Sequence, residues 1–86
     1  MTKIELYTRP DCNYCDNLKQ VMANQRLTWE EKEIGRDVTR EQVFEAIQEP
    51  QDAKISLPVV IIDGNYIGGY AEAMKWIFPP LEINDG

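Results

Sequence analysis

Two cysteines separated by two residues, Cys12 and Cys15, are the residues of this chain whose type and spacing suit chemistry best. Two thiols so spaced can close a small disulfide ring and open it again, which is two-electron redox chemistry. The competing readings are a pair of structural cysteines without a task, or half of a metal site. A C-x-x-C motif beside a strand–helix–strand pattern favours the redox reading. A mononuclear zinc site needs four ligands, and the chain offers two cysteines and no histidine, so no metal ligands are assigned. The lack of histidine also leaves proton transfer to thiols, carboxylates, Lys, Tyr or water.

The elements that position these thiols must come from 86 residues, which predicts a single domain over 1–86 with a modest core. Nine Lys and Arg against fifteen Asp and Glu give a net charge of −6, which argues against nucleic acid or an anionic membrane as partner. Met1 to Glu5 lack the apolar run of a signal peptide, and the longest apolar run, Val59 to Ile62, is far too short to span a bilayer. The expectation is a soluble, monomeric, cytoplasmic protein whose disulfide is transient and catalytic.

Lys3 to Thr8 alternates Ile4, Leu6 and Thr8 against Lys3, Glu5 and Tyr7, which predicts a strand ended by the turn residues Pro10-Asp11. From Asn13 to Asn24, Cys15, Leu18, Val21 and Met22 recur at helical spacing, so Cys15 faces inward and Cys12, on the first turn, is the exposed sulfur. Leu27 to Ile34 predicts a charged edge strand with Trp29 as its buried anchor. Thr39 to Gln42 forms a capping box, and Val43, Phe44 and Ile47 give the following helix an apolar stripe up to about Pro50. Leu57 to Ile62 reads as a buried strand, and Asp63-Gly64-Asn65 as a hairpin turn into a short strand at Tyr66 to Gly68. A last helix is expected over Tyr70 to Ile77, then a frayed tail over 79–86 behind Pro79-Pro80. The order is β-α-β-α-β-β-α.

With these motifs in place the chain resembles the glutaredoxin family of the thioredoxin-like superfamily. The residues that carry the resemblance are Cys12-Asn13-Tyr14-Cys15 with Arg9 before and Lys19 after, Leu57-Pro58-Val59 with Lys54 upstream, and Gly68-Gly69-Tyr70. Length and compact loops are similar to bacteriophage glutaredoxins. The resemblance implies an α/β, thioredoxin-like fold: a four-stranded mixed sheet in the order 2-1-3-4, the first and third helices on one face and the second on the other. It also implies a glutathione-dependent thiol–disulfide oxidoreductase acting on disulfide-containing or glutathionylated proteins. Cys12 then attacks and Cys15 resolves. Leu57, before a cis-Pro58, pairs with the cysteinyl backbone of glutathione, Arg9 and Lys54 face its glycyl carboxylate, and Tyr14 flanks the groove. N–H groups after Gly69, in the turn that includes Tyr70, meet the γ-glutamyl end, and Glu72 its amino group.

Thiolate character on Cys12 is favoured by the helix N-terminus, by Arg9 and Lys19, and by the Cys15 thiol. Asn13 stands where the family usually has proline and restores an N–H to the helix start, whereas Asp11 opposes the thiolate by like-charge repulsion or caps the helix. Lowering a thiol pKa from about 8.5 to about 6 raises the thiolate fraction at pH 7 roughly 30-fold while nucleophilicity falls roughly tenfold, so the larger benefit comes when Cys12 leaves. Two alternatives stay open. One is a thioredoxin-like electron donor to ribonucleotide reductase, itself reduced by a flavoprotein reductase; the other is a dimer sharing a glutathione-ligated [2Fe–2S] cluster through Cys12.

Overall fold

Two apolar segments form the centre of the sheet, and they differ in how they face the core. In β1, Ile4–Thr8, Ile4 and Leu6 pack on one side of the sheet and Tyr7 on the other. In β3, Val59–Ile62, all four residues are buried, Val60 and Ile62 with the first cluster and Val59 and Ile61 with the second. Such a run needs cover on both faces. The structure, a computed structural model, describes residues 2–79. The tail expected over 79–86 lies, from residue 80 on, outside the described residues.

The remaining elements are α1 (Asn13–Asn24), β2 (Glu30–Glu33), α2 (Arg40–Ile47), β4 (Asn65–Gly68) and α3 (Tyr70–Ile77). The sheet order is β2-β1-β3-β4, with β2 parallel to β1 and the other two pairs antiparallel. Leu18 and Met22 of α1 and Ala73 of α3 close one face; Val43 and Ile47 of α2 close the other. This is the arrangement the resemblance implies. No helix among the described residues is long and apolar enough to cross a membrane.

Local chemistry explains the element ends. At α2 both capping-box bonds are present: the Gln42 N–H donates to Thr39 Oγ1 (3.1 Å) and the Thr39 N–H to Gln42 Oε1 (2.7 Å). The β3–β4 turn places Asp63 (φ 51°) and Gly64 (φ 81°) in the left-handed region, as a tight hairpin turn requires. Three expected boundaries shift by two or more residues. The edge strand begins at Glu30 rather than Leu27, so Trp29 lies outside it and is half-buried against the α1–α3 face. The second helix ends at Ile47, where Gln48 turns left-handed (φ 60°), short of Pro50. The third strand begins at Val59 rather than Leu57, because Pro58 has no N–H for the ladder.

Candidate active site

β1 ends at Thr8, and Arg9 to Asp11 turn the chain into α1. Asp11 is left-handed (φ 58°), a conformation that aspartate tolerates better than most residues with a side chain. Cys12, rather than Asp11, takes the N-cap position: its sulfur accepts the Cys15 N–H at 3.2 Å, and its carbonyl accepts the Asp16 N–H. The reactive sulfur thus sits where helix N–H groups converge, a setting that stabilises negative charge. Cys12 and Cys15 are joined as a disulfide, with Cα atoms 5.2 Å apart. Cys12 is half-buried, whereas Cys15 is 1% exposed, so the two sulfurs differ in access. Asn13 and Tyr14 lie exposed beside them on the first turn.

Lys19, expected to favour the thiolate, is engaged by carboxylates. Its ammonium lies 3.2 Å from Glu31 on β2 and 3.7 Å from Asp16. The hydroxyl of buried Thr8 donates to the same Glu31 carboxylate at 2.7 Å. Partial burial pushes Glu31 up, but the bonds from Thr8 and Lys19 and the Lys19 charge outweigh it and hold Glu31 below the ordinary glutamate value. Sequence reasoning missed this trio. Its only trace was the charged edge strand, and the register pairing Leu6 with Glu31 is what turns that carboxylate toward α1.

The Leu57–Pro58 peptide bond is cis, and Leu57 lines a cavity together with Tyr14, which lies between the two cysteines in the chain. Leu57 makes no backbone hydrogen bond among the described residues. Two cavities meet at this residue. The larger, about 750 Å³, is lined by Arg9 and Lys54, as expected, and also by Arg40, which lies within the Thr39–Gln42 capping box and carries no other signal in the sequence. The smaller, about 340 Å³, is lined by Tyr14, Ser56, Tyr70 and Glu72. The Tyr14 and Tyr70 rings are tilted at 48° with centroids 5.1 Å apart.

Gly69 begins α3 with its N–H donated to Glu72 Oε1 at 2.8 Å. That N–H, together with Glu72's own, holds the Glu72 carboxyl below the ordinary glutamate value. Glu72, expected to meet the glutathione amino group, is thus engaged by the Gly69 N–H, which precedes the N–H groups expected at the γ-glutamyl end. A Cβ at Gly69 would run into the Ser56 hydroxyl, so glycine is what allows this close approach. No group of three or more potential metal-ligating side chains gathers among the described residues.

The glutaredoxin family model matches residues 4–67, from β1 into β4. The chain belongs to the glutaredoxin family. Glutaredoxin 3 of Escherichia coli is 27% identical over 70 residues, covering 80% of this chain and 78% of that protein. Hybrid peroxiredoxin hyPrx5 of Haemophilus influenzae is 30% identical over 73 residues; the match takes in 85% of this chain but spans only 28% of the relative. Among solved structures, glutaredoxin 1 of Francisella tularensis, complexed with cacodylate, superposes with a TM-score of 0.66 at 27% identity, covering 88% of this chain and 91% of that one. Family membership and the Cys12–Cys15 pair make this chain a thiol–disulfide oxidoreductase.

Proposed function

We propose that the chain is a dithiol, glutathione-dependent oxidoreductase that reduces glutathione mixed disulfides and protein disulfides. The observation that carries this reading is Leu57, whose backbone makes no hydrogen bond among the described residues and which lies between a cavity with Arg9 and Lys54 and one with Tyr14 and the first turn of α3. An extended thiol peptide with a carboxylate at each end can pair with such a backbone through its centre and reach cations with its glycyl end.

In the proposed cycle the Cys12 thiolate attacks the glutathionyl sulfur of a mixed disulfide and expels the protein thiolate, which takes up a proton. A second glutathione thiolate attacks the Cys12 adduct, releasing oxidised glutathione and restoring the Cys12 thiolate. On a protein disulfide, the Cys12 adduct is resolved by Cys15, leaving the Cys12–Cys15 disulfide and a fully reduced substrate. Two glutathione molecules then return the pair to the dithiol. Helix N–H groups at Cys12 support its departure in each release step. The proposed setting is the cytoplasm, where glutathione keeps thiols reduced.

A glutathione-coupled assay tests this. Cys12→Ser should abolish turnover, whereas Cys15→Ser should retain reduction of glutathionylated substrates; equal loss in both variants would refute the division of labour.

A second reading draws on Glu72. Because its carboxylate already holds the Gly69 N–H, the γ-glutamyl end finds fewer unspent groups, which favours an electron donor reduced by a flavoprotein reductase and serving ribonucleotide reductase. Turnover with glutathione alone, set against turnover with thioredoxin reductase alone, separates the two readings.

A further inference from the structure

Acidic residues outnumber basic ones fifteen to nine, yet the larger cavity at Leu57 is lined by three cations and no carboxylate. Among the described residues Lys3, Lys19 and Arg36 form ion pairs, while Arg9, Arg40 and Lys54 have no carboxylate within pairing distance. Like charges gathered this way repel one another, and an anion from outside the chain relieves that repulsion. Arg40 is held in place at the rim: its guanidinium lies 4.4 Å above the Phe44 ring and donates to the Gln51 carbonyl at 2.9 Å. Between the cations the accessible wall is apolar, formed by Ile34, Ile55 and Leu57. At about 750 Å³ the groove has the size of sites that take whole small ligands, more than a single glycyl unit fills.

We propose that this groove docks an acidic segment of the protein substrate, the residues that directly follow its reactive cysteine. Their carboxylates meet Arg9, Arg40 and Lys54, and one apolar side chain rests on the wall at Ile55 and Leu57. The proposal rests on the reading above for its direction: glycine follows cysteine in glutathione, so a protein substrate seated the same way sends its following residues past Arg9 and Lys54. The docked disulfide takes two electrons from the Cys12–Cys15 dithiol. One substrate sulfur is bonded to Cys12 and then released by Cys15, both substrate sulfurs leave as thiols carrying the two protons, and the chain is left as the disulfide. The cations bind and orient; they take no part in the exchange.

The test uses the whole chain, reduced with dithiothreitol, freed of it and mixed in single turnover with disulfide-linked peptide homodimers, the released peptide being read by acid quench and mass spectrometry. Three peptides place Leu-Asp-Glu after the cysteine, Leu-Asp-Glu before it, or Leu-Lys-Lys after it. The first should exchange about tenfold faster than the third at low ionic strength, and the ratio should fall to about twofold at high salt. Arg40→Gln should shrink that ratio to about threefold or less, and Arg40→Lys should keep most of it. Equal rates for the three peptides, or a preference for acids before the cysteine, would overturn the proposal while leaving the oxidoreductase intact. Because no glutathione is present, a failure of glutathione dependence does not enter this result, whereas the absence of exchange with every peptide would overturn the oxidoreductase and the docking together.

Discussion

On one side of Leu57, Arg9, Arg40 and Lys54 stand without a carboxylate among the described residues; on the other, the Gly69 N–H and the Glu72 carboxylate are consumed by each other, and Tyr14 leans on Tyr70. The two cavities share a residue but differ in what they have left to offer a ligand. A charged group already paired within the chain must be released before it can bind anything, whereas an unpaired one binds at no such cost. Recognition should therefore be led from the basic side, with the tyrosine side contributing surface and shape.

The basic side depends most on the residue beneath Arg40. Phe44, 1% exposed, supports Arg40 from below, and Phe44→Ala should cost about 3–5 kcal/mol in urea unfolding. Gly69→Ala acts on the opposite side: its methyl group has to displace the Ser56 hydroxyl, for about 1–3 kcal/mol by the same measurement, and the bond to Glu72 should loosen with it. Removing one cation at a time, Arg9→Gln or Lys54→Gln should lower kcat/KM on a glutathione mixed disulfide about two- to fivefold, with added salt erasing the difference from wild type. A loss that ignores salt would mean that these side chains act by packing.

The smallest effect concerns Glu72 and pH. Its carboxyl is depressed because backbone N–H groups of Gly69 and Glu72 donate to it, so its contribution is complete above the ordinary glutamate value and is lost as pH falls through the lower folded value. Amide-exchange protection at Gly69, corrected for intrinsic rates, should drop over that acid window in wild type. Glu72→Gln should begin with lower protection at neutral pH and show no acid step.

Much of the fold was legible because its signals are local. The Thr39–Gln42 capping box, the Asp63-Gly64 turn and the stripe of Cys15, Leu18 and Met22 each lie within a few residues, and the structure forms α1 and α3 over the expected ranges. The strands were less legible at their ends. Trp29 and Leu57 have strand-like character, but a strand exists only where its ladder bonds form, and the pairings with β1 begin at Glu30 and Val59. Lys19 shows the same limit at the site: its place on the helix can be counted from Cys12, but the Glu31 carboxylate that engages it comes from a separate strand.

The sequence by itself determined the redox pair, its unequal access and the strand–helix frame around it, since periodicity and capping depend on neighbours along the chain. Only the tertiary structure decided which charges are already spent. Lys19 is taken up by Glu31 and the Gly69 N–H by Glu72, while Arg9, Arg40 and Lys54 line one cavity without a carboxylate among the described residues. Coulomb and hydrogen-bond energies depend on distance in space, and elements remote in sequence set those distances.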